Sequence, residues 1–453
     1  MSADPGEGTV RTMASKSGPE ILQLGRTLRL GDGLAMVVGI MVGSGIFRTP
    51  GLVAAQLGRP WLTFVAWALG GGVGLLGALV FAELATRHPH AGGKYVYARE
   101  AFGRRAGFVI GWVEAGIYAA AIAAISVVCG EYLARLTGWS AEKARLLGAG
   151  IVALLAGINL AGAAMGRFTQ NVATAAKVLA LAAVVVAAGV AGTGAGWTSG
   201  PPAGAPAGVA VWVALALAFQ SVIWTYYGYL DAAKIAEEVV DPDRTLPRIF
   251  LLGIGTVTAL YLLLNAAFLH VLPLDRIAAS TLVAGDVVDE IFGARAATVM
   301  SALALLVVLA SLNGNVFVTP RVVFGLARDG LAPRVLARVH RGNPWAAMLL
   351  VGAVSFVLAA TGTFERLLSL TITLILVIDG FMVIVLFRLK ARKPEAPFRV
   401  PLHPFVPASF LLVYALLFVA TAREQPGTTG VALAVLAVAY ALGGQVSFLS
   451  SKT

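Results

Sequence analysis

The chain has little charge and almost no cysteine. Only 13% of its 453 residues are charged, whereas 58% are hydrophobic. A typical soluble domain carries about 25% charged residues, so the composition excludes a soluble protein and indicates one that crosses a membrane several times. The single cysteine, Cys129, lies in an apolar stretch, and one thiol cannot form an intramolecular disulfide.

Sequence signatures of nucleotide and metal sites are also missing. The chain has no Gly-x-x-x-x-Gly-Lys-Ser/Thr motif to hold a nucleotide. Its five histidines and one cysteine are scattered rather than spaced for tetrahedral metal binding. We therefore predict no cofactor, no metal and no enzymatic activity.

The net charge of +11 would suit nucleic-acid binding, but the basic residues cluster in short loops between apolar stretches. Nucleic acid is therefore not a predicted partner.

Long apolar stretches account for most of the chain. A membrane-spanning helix needs about 20 apolar residues. Twelve stretches approach that length: 33–56, 61–85, 107–135, 146–163, 171–192, 208–236, 248–271, 296–320, 345–361, 367–388, 404–421 and 428–449. The first stretch is too long for a signal peptide, so the polar residues 1–29 are predicted to form a cytosolic tail.

Lys and Arg are concentrated in the loops on the side of that tail. The positive-inside rule then places both termini in the cytoplasm of a multi-pass protein of the cell (inner) membrane.

The first apolar stretch contains glycines where an uninterrupted helix is expected. Gly39, Gly43 and Gly45 each weaken a helix by about 1 kcal/mol relative to Ala. Non-helical backbone at membrane depth is tolerated where it lines a protein cavity, and the N-terminus of a half-helix can bind an anionic group there. The alternative is that these glycines only allow helices to pack closely.

A second interruption lies in the sixth stretch. Trp224, Tyr227 and other aromatic residues surround Gly228, and an acidic segment with a Pro turn follows at 236–247. Paired interruptions at corresponding positions of two halves indicate a transporter binding site. Breaks in spans 1 and 6 predict an all-α membrane fold of about 12 helices with a five-plus-five inverted repeat. Its units would be the repeats 30–192 and 208–388, followed by two further helices within 400–450.

Lys177 interrupts the fifth stretch. An ionisable residue within a span costs on the order of 3 kcal/mol on insertion scales. One interpretation is that its long side chain extends to the membrane surface. The other is that its ammonium binds opened backbone carbonyls of span 1 and hydroxyls of span 8, in the role that a sodium ion has in other membrane proteins of related design. Ser311 and Asn313 are the candidates for contacting Lys177.

Three further acidic residues lie within spans. Glu114, about one turn into the third stretch, is predicted to form a structural ion pair. Asp231 in the sixth stretch and Asp379 in the tenth are better candidates for a polar function, but the sequence assigns neither of them a role.

Three motifs together resemble the amino acid–polyamine–organocation superfamily of secondary transporters, and in particular its L-type amino acid transporter-like branch. The segment 42–47 resembles that family's signature in span 1, 226–247 its signature in span 6, and 327–333 its loop after span 8. The resemblance covers roughly residues 25–400. It implies a leucine-transporter-like fold and secondary transport of amino acids by alternating access.

The resemblance also implies which residues bind the substrate. Backbone atoms of span 1 would hold the carboxylate and those of span 6 the amino group. The implied residues are Ile40, Gly43, Ser44, Gly45, Trp224, Tyr227 and Gly228. Trp224 resembles the family's aromatic gate, and Lys177 matches a lysine of the sodium-independent members.

The chain departs from the pattern at two places. Many L-type relatives have a small residue or Asp where this chain has Tyr227, and a tyrosine would fill the pocket. We therefore expect small neutral substrates such as Ala, Ser or Gly, moved by exchange or by proton coupling. The cysteine that links animal members to a heavy chain has no counterpart between spans 3 and 4. No disulfide-linked partner is predicted.

Two other functions remain open at this stage. A carrier of cationic amino acids or polyamines would need carboxylates in the pocket, and Asp231 or Glu114 would have to face it. A membrane sensor that retains the transporter fold would bind its ligand without flux.

Overall fold

The protein is a bundle of α-helices. The structure is a computed structural model that describes residues 24–43, 45–200, 209–280, 282–361 and 364–450. These residues contain no strand, and seventeen α-helices run through them in the following order. The helices are α1 (Leu30–Met41), α2 (Gly45–Leu57), α3 (Pro60–Arg87), α4 (Lys94–Phe102), α5 (Arg104–Thr137), α6 (Ala141–Leu160), α7 (Ala163–Ala191), α8 (Val209–Tyr226), α9 (Pro242–Val271), α10 (Leu274–Ala279), α11 (Val283–Phe292), α12 (Ala294–Val318), α13 (Pro320–Arg328), α14 (Trp345–Thr361), α15 (Phe364–Arg392), α16 (Phe405–Glu424) and α17 (Pro426–Ser450).

The apolar helices confirm a polytopic membrane protein. Within the described residues, ten helices are long and apolar enough to cross a membrane, and the bent pair α1–α2 makes an eleventh span. The helix α14 is also apolar but has only 17 residues. All twelve predicted stretches fall on these helices. The predicted tail 1–29 lies largely outside the described residues, and the repeat boundaries 30–192 and 208–388 stay a prediction.

The first span is broken where the sequence predicts it. The helix α1 ends at Met41, α2 begins at Gly45, and the two helices differ in direction by 44°. A Cβ on Gly43 would lie 2.7 Å from the Ser311 hydroxyl oxygen, and one on Gly45 would lie 2.7 Å from the Thr225 hydroxyl oxygen. Only glycine permits neighbouring helices to approach the break this closely.

The sixth span is broken beside the first. The helix α8 ends at Tyr226, and 3₁₀ segments follow at Tyr229–Ala233 and Ala236–Glu238. Gly228 lies between α8 and the first 3₁₀ segment and has a φ of +126°, a conformation that favours glycine. A Cβ at Gly228 would lie 2.8 Å from the side chain of Ile40. The two breaks therefore touch.

The broken helices are at the centre of the bundle. The helix α1 packs against α7, α9 and α12, while α5 packs against α6, α12, α14 and α15. The helices α16 and α17 expose many large apolar side chains, including Leu412, Leu416 and Val438. Exposed apolar surface of this kind suits contact with lipid.

The helix α4 packs against the membrane-spanning helices α5 and α15. The sequence pattern of 86–106 predicts a turn followed by a short interfacial helix, and a cytosolic gate is the alternative interpretation. The structure contains the helix, but Lys94, Tyr95 and Tyr97 are all buried, and α4 packs against α5 and α15. One face of α4 is therefore packed into the bundle, whereas Glu100 on the same helix is exposed, and both interpretations stay predictions.

Candidate functional site

The two helix breaks line a central cavity. Its volume, measured for the centres of water-sized spheres, is about 40 Å³, which is room for about three waters. Seven of the predicted site residues line it. They are Ile40, Gly43, Gly45, Trp224, Tyr227, Gly228 and Ser311. Ser44 lies outside the described residues. The helices α5 and α15 complete the wall through residues such as Tyr118, Ile125 and Thr371.

The carbonyl groups that end α1 are bound by side chains from three other helices. The last carbonyls of a helix have no partner within it. Here the Ile40 carbonyl accepts from the Ser311 hydroxyl at 2.7 Å, and the Met41 carbonyl accepts from the Tyr261 hydroxyl at 2.7 Å. An unsatisfied buried carbonyl costs about 1–3 kcal/mol. These contacts thus stabilise the break.

Lys177 binds the same broken helix end. Its side chain is fully buried, and its ammonium donates to the carbonyls of Gly39 and Val42, the latter at 2.7 Å. Burial excludes the interpretation in which Lys177 extends to the membrane surface. The Lys177 nitrogen therefore lies against opened backbone carbonyls of span 1, as the second interpretation predicted.

Ser311 and Asn313 do not contact Lys177 as expected. The Ser311 hydroxyl donates to the Ile40 carbonyl instead. The Asn313 amide donates to the Gln170 side chain at 3.1 Å, and its oxygen accepts from Asn159 at 2.8 Å. The sequence places Ser311 at the break correctly, but Asn313 lies two residues further along α12 and faces α6 and α7.

A buried group of charged side chains lies next to the cavity. Lys94 is 2.6 Å from Asp379, 3.8 Å from Glu114 and 2.7 Å from the Tyr227 hydroxyl, to which it donates. Asp231 lines the cavity and lies 2.6 Å from the ammonium of Lys234. We call Lys94, Glu114, Asp231, Lys234 and Asp379 the buried charge cluster.

One end of the bundle is closed by ion pairs. The loops after α3, α13 and α15 meet there, and we call it the basic end because they are rich in Lys and Arg. Glu237 binds Arg328 at 2.7 and 2.8 Å and accepts from the backbone N–H groups of Leu24 and Ala91, both at 2.9 Å. Burial alone would raise the pKa of Glu237, but Arg328 and these donors lower that pKa below its ordinary value.

A second ion pair reinforces the closure. Glu238 binds Arg321 at 2.5 and 3.1 Å, and both side chains are buried. The Glu238 carbonyl also accepts from the backbone N–H groups of Thr27 and Leu28, each at 2.8 Å. The segment before α1, the acidic segment after α8 and α13 are thereby joined between the cavity and the basic end.

A comparison with protein families decides what kind of protein carries this site. The family model described as amino acid permease matches residues 32–442. The chain belongs to that family. The predicted membership of the amino acid–polyamine–organocation superfamily is confirmed.

The permease has curated relatives of similar length. The serine/threonine exchanger SteT of Bacillus subtilis (strain 168) is 29% identical over 382 residues, which cover 83% of this chain and 86% of the relative. The mouse large neutral amino acids transporter small subunit 2 is 28% identical over 441 residues, covering 95% and 83%. The mouse Asc-type amino acid transporter 1 is 28% identical over 426 residues, covering 92% and 80%. These relatives are transporters rather than enzymes.

Three polar residues of the permease site were missed from the sequence. Lys94 follows a Gly-Gly pair in a loop, Lys234 follows Asp231 by three residues, and Tyr261 lies in an apolar span. The spacing of Asp231 and Lys234 on a helical turn is the signal that would have indicated an ion pair. Nothing in the local sequence indicates that Lys94 or Tyr261 contacts the broken helices.

Proposed function

We propose that this permease moves small neutral L-amino acids across the cell membrane by alternating access, without sodium, and by exchange or proton coupling. The substrate lies between the two helix breaks.

The meeting of the two breaks in one buried cavity carries this proposal. A helix N-terminus offers unpaired N–H groups and a positive dipole end. The start of α2 and Gly43 therefore suit a carboxylate. The C-terminal end of α8 offers carbonyls near Trp224 and Tyr227 that suit an ammonium group. An amino acid carries both groups on adjacent atoms, as the adjacent breaks require.

The size and polarity of the cavity support a small neutral substrate. Room for about three waters suits side chains such as those of Ala and Ser. The Tyr227 hydroxyl is held by Lys94, which keeps the phenol ring at the cavity wall. A cationic substrate would need an available carboxylate, and Asp231 is already neutralised by Lys234 at 2.6 Å.

Sodium independence is supported by the position of Lys177. Its ammonium binds two carbonyls of the first break, and carbonyl oxygens are the ligands that a bound sodium ion would need. With the lysine in place, a second cation there would be repelled. Lys177 thus serves as a covalently attached substitute for the ion.

The orientation is proposed from the charged loops. The basic end faces the cytoplasm by the positive-inside rule, so both termini are cytoplasmic. On this assignment the structure is closed towards the cytoplasm. Cys129 is buried in α5, which gives a heavy chain no accessible thiol among the described residues.

Purified protein in liposomes tests the proposed function. A panel of labelled amino acids is supplied outside, with internal amino acid, pH gradient and Na⁺ varied separately. We expect uptake of Ala, Ser or Gly that is equal with and without Na⁺. Sodium-dependent uptake, or preferred uptake of Arg or putrescine, would contradict the proposal. Binding without flux would favour the sensor.

A further inference from the structure

We propose that Glu114 is the proton-binding site of this permease, so that amino acid movement is coupled to proton movement through the buried charge cluster. This inference rests on the proposed function and selects proton coupling over pure exchange.

The cluster contains an unequal number of acidic and basic groups. Within the described part of the chain, the charged groups that face Glu114 come from α4, α15 and the segment after α8. They are Lys94, Asp379, Asp231 and Lys234. With Glu114 itself, three carboxylates are opposed by two ammonium groups, and each of these side chains is at most 3% exposed.

A buried charge without a partner is costly. Ionised groups in a protein interior must be paired and hydrogen-bonded, because removing a carboxylate or an ammonium group from water is otherwise unfavourable by several kcal/mol. If all five groups were ionised, the cluster would carry one excess negative charge. One bound proton on a carboxylate removes that excess.

Glu114 is the carboxylate that suits this proton. Asp379 and Asp231 each lie 2.6 Å from an ammonium, whereas the nearest ammonium to Glu114 is 3.8 Å away. The oxygens of all three carboxylates lack a hydrogen bond of standard geometry among the described residues, so the distance to the nearest ammonium is what distinguishes Glu114. The least paired carboxylate gains most from binding a proton.

The proton site is connected to the substrate cavity through Lys94. This ammonium donates to the Tyr227 hydroxyl and lies near both Asp379 and Glu114. Tyr227 lines the cavity, so a substrate that moves its ring changes the contacts of Lys94. Any such change alters the stability of an ionised Glu114. Linkage then requires that proton binding alters substrate affinity in return.

Infrared difference spectroscopy tests the proton site without any substrate. A protonated carboxyl group has a C=O stretching band that shifts in D₂O and disappears when the group ionises. We expect purified wild-type protein at neutral pH to show this band and Glu114→Gln to lack it. Glu131→Gln is the matched control, because Glu131 is on the same helix but is exposed by 43% and lies near Arg48 instead. An unchanged band in Glu114→Gln would overturn the assignment.

Liposome transport tests the coupling. We expect an imposed pH gradient to change net uptake of labelled L-serine and L-alanine at least fivefold in wild type and in Glu131→Gln, and less than twofold in Glu114→Gln. Exchange against internal serine serves as the measure of folded, reconstituted protein. If exchange proceeds but wild type and Glu114→Gln respond equally to the gradient, or neither responds, the coupling is overturned. If no amino acid moves under any condition, the proposed function fails instead, and the infrared band still decides whether Glu114 binds a proton.

Discussion

At the scale of single residues, the break in span 1 is stabilised by side chains that bind backbone rather than by side chains that bind one another. Lys177, Ser311 and Tyr261 each donate to carbonyls of the broken helix α1. Their donors replace the intrahelical partners that the break removes. In the proposed function, the N–H groups at the start of α2 bind the substrate carboxylate. The chemistry of these residues thus maintains an open helix in a low-dielectric environment.

Replacing Lys177 tests its role at this scale. Lys177→Ala leaves the Gly39 and Val42 carbonyls without their donor, at a cost of about 1–3 kcal/mol. We expect uptake in liposomes to fall about tenfold or more, with the protein still monodisperse and folded by circular dichroism. Lys143→Ala, at an exposed position of α6, is the control. Wild-type uptake by Lys177→Ala would contradict the assigned role.

Tyr227 is expected to set the size of the substrate. Tyr227→Ala removes the phenol ring from the cavity wall and frees Lys94. We expect competition assays to show that Leu and Phe gain relative to Ala and Ser by about tenfold, because each newly buried CH₂ contributes about 0.8 kcal/mol. Tyr440→Ala on the exposed surface of α17 should leave the preference unchanged. A wild-type protein that already prefers Leu or Phe would disprove this explanation.

At the scale of elements, the helix halves and the closure at the basic end form one connected unit. The segment before α1 is held by Glu237 and Glu238, which follow the break in span 6. These two glutamates bind Arg328 and Arg321 of α13. Movement of the first half-helix therefore has to separate it from both the sixth span and α13.

Loss of one ion pair should loosen this closure. Removing one partner of a buried pair typically costs about 3–5 kcal/mol, and Arg328→Ala removes the bidentate partner of Glu237. We expect hydrogen–deuterium exchange of the segment 24–29 to become at least about tenfold faster. Arg276→Ala, which removes an ion pair to Glu290 that is about half exposed, is the control. Equal exchange in Arg328→Ala and wild type would show that other contacts hold the closure.

At the scale of the whole molecule, the bundle has a central region that contains the broken helices and is surrounded by supporting helices. The broken helices and the cavity lie inside, and α16 and α17 lie at the periphery with exposed apolar faces. The loops rich in Lys and Arg are concentrated at the basic end. This asymmetry of charge is the basis of the proposed orientation in the bilayer.

Cysteine labelling tests that orientation. The one native cysteine, Cys129, is buried, so the wild-type chain gives a low background for maleimide reagents. Arg338 at the basic end and Ser140 after α5 are both exposed. We expect a membrane-impermeant maleimide to label Ser140→Cys in intact cells and Arg338→Cys only after permeabilisation. The opposite pattern would place the basic end outside.

The sequence predicts the spans and the breaks well because these depend on local properties. Twelve apolar stretches and the glycines at 39, 43, 45 and 228 are visible without any tertiary information. The contact of Lys177 with carbonyls of span 1 was one of two interpretations, whereas its predicted contacts with Ser311 and Asn313 were wrong. By contrast, Lys94 contacts Tyr227 across 133 residues and Tyr261 contacts Met41 across 220. Such contacts depend on how helices pack, and no local pattern encodes them.

The carbonyl end of α1 has a consequence for leakage. Its carbonyl groups accept hydrogen bonds from side chains of α7, α9 and α12. The half-helix therefore cannot move relative to one of these helices and keep its hydrogen bonds to the other two. Each partly displaced position leaves polar groups unpaired in an apolar interior, which makes it less stable than either end position. The helix should therefore switch between two positions, with few molecules found in between. A carrier that switches in this way has little opportunity to let ions pass while it moves.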